Sequence, residues 1–232
     1  MSGSSDLALD KKNLDTILVL DFGSQYTQLI ARRIRELNVY SEILPWDIST
    51  EKIQALKPKG VILSGGPESV TASNTPRIPE TIFELDIPIL GICYGMQTLA
   101  EQFGGQVSSS KNKEFGHAEI ILEEDSLLFD GLISGSRIDV WMSHGDYVST
   151  LPDQFNILAS TKSSPIAAMQ HIEKPLFALQ FHPEVTHTKQ GNKVLNNFTF
   201  KICKCSAKWK MENLIEQRII DIKEQVGDQK IL

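Results

Sequence analysis

Short runs that are apolar at every position alternate with segments whose apolar residues recur at helical spacing, until the pattern changes near residue 105. Residues 16–22 form a β-prone apolar run closed by Gly23, and 28–37 follow with apolar positions at helical spacing and arginines on the other face. The same alternation predicts strands at 39–44, 60–63 and 87–92. It predicts helices at 50–56, 79–85 and 94–103, the last stopped by Gly104-Gly105. Strands without polar alternation are covered on both faces. The expected fold is therefore α/β, three-layered and doubly wound around a mostly parallel central sheet, with functional groups at the carboxyl ends of its strands. Beyond Gly105, extended segments follow one another at 106–110, 117–123, 138–143, 156–160, 166–171 and 176–180, which predicts an added antiparallel β region. A helix over 192–203 closes this part.

Charge and composition narrow the class. The 232 residues carry a net charge of -6, which argues against a nucleic-acid surface. No run of about 18 apolar residues is present, so no membrane-spanning helix is expected. Residues 1–15 are polar and lack the apolar core of a signal peptide, so a flexible tail on a cytoplasmic protein is expected. Three cysteines, an odd number, suit a reducing compartment, and the isolated Cys203-Lys-Cys205 has no second pair to complete a zinc site. The main domain is expected over 16–205. From 208 onward Met211, Leu214, Ile215, Ile219, Ile222 and Val226 mark an amphipathic helix. It either docks on the main domain or opens another one.

Candidate chemistry centres on Gly91-Ile-Cys-Tyr-Gly95, where a buried strand turns into a helix with Cys93 at the turn. The spacing is that of a nucleophile elbow with sulfur for oxygen, and the positive end of the helix dipole stabilises negative charge there. A packed core cysteine is the bland alternative, and this stretch alone does not choose. A second segment, Gln180-Phe-His-Pro-Glu184, ends another apolar run. His182 can act as base, and Glu184 can fix its tautomer through the other ring nitrogen. Cys93, His182 and Glu184 together supply nucleophile, base and orienter. The amide of Tyr94 and the Gly65-Gly66 turn are candidate oxyanion donors. Trp141-Met-Ser-His-Gly-Asp146 offers a competing base in His144, but the carboxylate beside His182 favours the latter. Ser64-Gly-Gly-Pro-Glu-Ser69 superficially resembles a pyrophosphatase phosphate loop. Pro67 removes an amide from it, and no helix follows directly.

Gly91-Ile-Cys-Tyr-Gly-Met-Gln97 with Phe181-His-Pro-Glu184 resembles the class I, or triad, glutamine amidotransferases. Within that family, Val19-Leu-Asp-Phe-Gly-Ser-Gln-Tyr26, Leu63-Ser-Gly-Gly-Pro-Glu-Ser-Val70, Trp141-Met-Ser-His-Gly-Asp146 and Asn196-Asn-Phe-Thr-Phe-Lys-Ile-Cys203 are similar to the amidotransferase domain of bacterial-type GMP synthetases. The resemblance implies a flavodoxin-like sheet and hydrolysis of glutamine by Cys93, His182 and Glu184. It implies an oxyanion hole at Gly66 and Tyr94, and glutamine held by Gln97, Ser143, Gly145 and Asp146. It further implies that ammonia passes to a synthetase part that aminates XMP to GMP with ATP and Mg2+, in a protein that is a homodimer at full length. No metal and no cofactor are expected in this chain. Residues 206–232 resemble a linker and the first elements of that synthetase domain, so the expectation is a chain truncated before it. The alternative is an enzyme of the same fold with another acceptor, such as the subunit for anthranilate or carbamoyl phosphate, and the resemblance of the Asp-Phe-Gly-Ser-Gln-Tyr and Trp-Met-Ser-His-Gly-Asp segments argues against it.

Overall fold

The computed structural model describes residues 14–210 and, beyond them, 219, 222–223 and 226–227. The expected tail over 1–13 and most of the amphipathic segment lie outside the described residues. In chain order the elements are β1 (Thr16–Asp21), α1 (Thr27–Glu36), β2 (Tyr40–Pro45), α2 (Thr50–Leu56), β3 (Gly60–Leu63), α3 (Glu80–Glu84), β4 (Ile89–Ile92), α4 (Tyr94–Gln102), β5 (Gln106–Leu122), β6 (Arg137–Thr150), β7 (Phe155–Ser160), β8 (Ala168–His171), β9 (Leu176–Leu179) and α5 (Gly191–Asn196).

One large mixed sheet runs β2-β1-β3-β4-β9-β8-β7-β5-β6. The first five strands in that order pair in parallel, and the rest pair antiparallel. β9 is the junction, parallel to β4 and antiparallel to β8.

Both faces of the parallel part are buried, which explains why its strands read as continuous apolar runs. Ile17 and Val19 of β1 join Ile62, Leu90 and Ile92 in a cluster closed by Ile30 and Ile34 of α1 and Val194 and Leu195 of α5. Leu18 and Leu20, one residue out of phase, join Val61, Leu63 and Ile89 under Ile53, Ile82, Met96 and Leu99. Each fully buried Ile or Leu contributes roughly 1.5–3 kcal/mol of transfer free energy.

The structure differs from the sequence pattern in three places. The segments expected as separate strands at 106–110 and 117–123 are one strand, β5, which pairs with an equally extended β6 across a register irregularity between Ser109 and Glu114. Polar residues in the middle masked that continuity, because a two-stranded ribbon reaching past the core does not need apolar alternation. The closing helix is α only over Gly191–Asn196 and continues as a π-helix over Asn197–Ile202. Strand β8 starts at Ala168 rather than 166, where its pairing with β7 is irregular: Ala167 still donates to the Ala159 carbonyl at 2.8 Å, and the turn around Ser164 lies before it. Among the described residues no helix is long and apolar enough to cross a membrane.

Candidate active site

β4 ends at Ile92 and α4 begins at Tyr94, so Cys93 alone makes the reversal, with φ 54° and ψ -105°. Such backbone costs a non-glycine residue on the order of 1–3 kcal/mol and persists only where the surroundings over-determine it. Here two close approaches do so. A Cβ on Gly91 would stand 2.7 Å from the Gly95 carbonyl oxygen, and one on Gly95 would stand 2.5 Å from that of Leu63. The turn is thus clamped between its own two ends and β3, with the sulfur held at the carboxyl edge of the sheet.

The parallel pairing of β4 with β9 brings in the second segment. Ile92 lies opposite Leu179, and the Cys93 N–H donates to the Leu179 carbonyl at 2.7 Å. The residues just past each strand therefore meet although they are far apart in sequence. His182 Nδ1 and Glu184 Oε1 are 2.7 Å apart, both residues fully enclosed. The Cys93 side chain acts on the same imidazole. Burial by itself pushes the imidazole pKa down. Interaction with Cys93 and the hydrogen bond to Glu184, with the charges of both groups, outweigh it and raise the value to about 10.

Several elements fix this pair. Thr188 Oγ1 donates to the His182 carbonyl at 2.6 Å and accepts from the Trp141 N–H at 3.0 Å, while the His182 N–H donates to the Trp141 carbonyl at 3.0 Å. The Tyr26 ring meets the His182 ring edge-on, centroids 5.0 Å apart. Arg33, in the last turn of α1, donates from Nε to the Glu184 carbonyl at 3.0 Å.

The remaining sequence-predicted residues gather on the same side. Gly66, Tyr94, Gln97, Ser143, Gly145 and Asp146 line one cavity of about 590 Å³ with Cys93 and His182, and Glu184 sits behind His182. Among the described residues, the backbone N–H groups of Gly66 and Tyr94 donate to no protein acceptor, so both remain available to a ligand. The Cys93 thiol donates to the Ser143 carbonyl across 3.6 Å. Gln97 Nε2 donates to the Asp146 carbonyl at 2.7 Å, and Asp146 Oδ1 accepts from Ser109 Oγ at 2.7 Å. Gln97 thereby anchors the 143–146 stretch of β6 to the first turn of α4.

His144 also lines the cavity, but its partner is Glu114 of β5, Nε2 to Oε2 3.0 Å. Burial lowers its pKa, against the opposing pull of Glu114. The two histidines are thus pushed in opposite directions, and of the two only His182 is acted on by Cys93.

Two participants escaped the sequence reading. Gln180 is completely buried, with Nε2 3.8 Å from Cys93 Sγ and Oε1 3.5 Å from Gln97 Nε2. A polar residue ending an apolar strand was visible, but its neighbour across the sheet depends on the β4–β9 register. Glu114 carried no signal, because its pairing with His144 is set by the irregular register of the β5–β6 ribbon.

Comparison with known proteins bears on what this site belongs to. The family model for class-I glutamine amidotransferases matches residues 18–202. Proteins named GMP synthase (glutamine-hydrolyzing) are similar: that of Hamiltonella defensa is 52% identical over 95% of this chain, and that of Hahella chejuensis 54% over 93%. The chain spans only 44% and 42% of those two relatives, less than half of their length. A solved structure from Thermoplasma acidophilum, described as one subunit of a GMP synthase, is 35% identical and superposes with a TM-score of 0.71, covering 83% of this chain and 95% of that one. A glutamine amidotransferase from Thermotoga maritima shares the fold at 20% identity, with a TM-score of 0.60 over 93% of this chain and 100% of its own. A match that begins in β1, takes in the cysteine elbow and the histidine segment, and runs to the end of the π-helix leaves one conclusion: the chain belongs to the class-I glutamine amidotransferase family.

Proposed function

We propose that this chain hydrolyses glutamine to glutamate and ammonia through a Cys93–His182–Glu184 triad. The observation that carries the proposal is the strained Cys93 turn beside an imidazole whose other nitrogen is 2.7 Å from a buried carboxylate. In this reading the Cys93 thiolate attacks the side-chain amide carbon, and the carbonyl oxygen takes the negative charge between the N–H groups of Gly66 and Tyr94. The C–N bond then breaks as the His182 imidazolium gives its proton to the departing nitrogen, releasing ammonia. Water attacks the γ-glutamyl thioester with neutral His182 taking its proton, the C–S bond breaks, and glutamate leaves with the thiolate restored. Glu184 holds the imidazole tautomer and balances its charge. Loss of one oxyanion donor in such a site costs about 2.7–4 kcal/mol of transition-state stabilisation. Gln97, Ser143, Gly145 and Asp146 bind the amino-acid end of the substrate.

The reading extends to the whole protein of which relatives are the guide. Ammonia passes to a synthetase part, which uses ATP and Mg2+ to aminate XMP to GMP, while the glutaminase half works without a cofactor or metal. Residues 16–205 are the amidotransferase domain, doubly wound in three flavodoxin-like layers. Residues 206–232 form the link into the synthetase part, and the full-length protein is a cytoplasmic homodimer.

The test measures ammonia from glutamine with this chain alone and with a separately supplied synthetase half, XMP, ATP and Mg2+. Ammonia production should rise with the partner present and vanish in Cys93→Ala. Production that survives that substitution would sink the triad.

A further inference from the structure

We propose that Lys113 is the cation that recognises the α-carboxylate of the amino-acid substrate, completing with Asp146 a site for the zwitterionic end of the molecule. The inference rests on the reading of the cavity as a glutamine site and adds a residue to it. Lys113 lines the cavity that holds Cys93, and its stem lies along Gly145, with its carbons 3.7–3.9 Å from where a Gly145 Cβ would stand. Among the described residues no carboxylate lies within 4.0 Å of its ammonium, although Glu114 and Asp146 are its near neighbours in the ribbon.

Glu114 is committed to His144, and Asp146 uses Oδ1 for Ser109, with Oδ2 left over. The cavity thus presents one uncommitted cation and one half-committed anion that are not paired with each other. A free α-amino acid carries both charges on a single carbon. An ammonium at Asp146 Oδ2 would leave the adjoining carboxylate directed at Lys113, a charge-assisted contact stronger than a neutral hydrogen bond. The register irregularity between Ser109 and Glu114 has a use in this light: it sets Lys113 over Gly145 instead of in ladder with it.

The test uses the full chain and two forms of one probe, a γ-diazoketone analogue of glutamine and the same compound with its α-carboxyl converted to an amide. The readout is the concentration giving half-maximal mass modification of Cys93, which needs no turnover. Lys113→Met should raise that concentration about tenfold or more for the free acid and leave it within about twofold for the amide. Lys113→Arg should restore capture of the free acid. Equal weakening for both probes, or no weakening for the free acid, overturns the assignment of Lys113. If neither probe modifies Cys93 in the unaltered chain, the glutamine-site reading itself falls and the Lys113 proposal with it. Labelling by the amide alone keeps the nucleophile and removes only the carboxylate site.

Discussion

Exposure does not separate the three cysteines, since Cys93, Cys203 and Cys205 are 6%, 5% and 7% exposed. Their surroundings do. Cys93 opens on the cavity beside the His182 ring, whose pKa is raised, whereas burial pushes the thiols of Cys203 and Cys205 up, the latter to about 12. A glutamine-mimicking electrophile should therefore add mass at Cys93 only, and peptide mapping that finds it on Cys203 or Cys205 contradicts the site. The two cavity histidines make a second prediction. The His182 pKa is raised above its unfolded value near 6.5, so the stability it contributes is full below pH 6.5 and is lost as pH rises toward 10. The His144 pKa is lowered, so its contribution is present above pH 6.5 and is lost as pH falls below that. Denaturation midpoints across pH should show a decline on both sides of neutrality, with His144→Gln flattening the acid limb and His182→Gln the alkaline one. At this scale the sequence singled out Cys93, His182 and Glu184 as candidates, because their motifs are local. It was silent on Gln180 as a donor to sulfur and on Glu114 as the partner of His144, because both contacts cross between strands.

The elements act as clamps on that chemistry. α4 can approach β3 only because Gly95 has no side chain, so Gly95→Ala should force the helix off the sheet. Overpacking of this kind costs about 1–3 kcal/mol, and both the urea midpoint and Cys93 labelling should fall together. Thr188 joins the loop after β9 to β6 through a single hydroxyl. Thr188→Val keeps the shape and removes both hydrogen bonds, one on each side. The expected cost is about 1–3 kcal/mol in stability, with kcat for glutaminase falling more than KM changes, because the displaced group is His182 rather than the substrate subsite. Element boundaries were legible where core burial imposes periodicity, as in β1, α1 and α4. They were illegible in the β5–β6 ribbon, whose outer half is held by ladder hydrogen bonds and polar cross-strand pairs such as Ser108 with Ser149.

For the whole molecule, residues 206–209 are bound to the beginning of the described chain. Ser206 donates from its backbone and hydroxyl to Asp15, and Trp209 is buried against Tyr40, with its N–H on the Asn38 carbonyl. Truncation after residue 210 should leave stability and Cys93 labelling unchanged. Truncation after 205 removes Trp209 from a closed site and should lower stability by about 3 kcal/mol, read from the denaturation midpoint. The sequence by itself determined the parallel half of the sheet, the cysteine elbow, and the pairing of His182 with Glu184, because apolar periodicity and short motifs are properties of neighbouring residues. Only the tertiary structure decided that β9 lies beside β4, and so that a histidine late in the chain reaches the sulfur of Cys93. It likewise decided that Lys113 lies over Gly145, within the same cavity as Asp146. Strand order and register come from how the sheet closes over two apolar layers, and no local pattern encodes them.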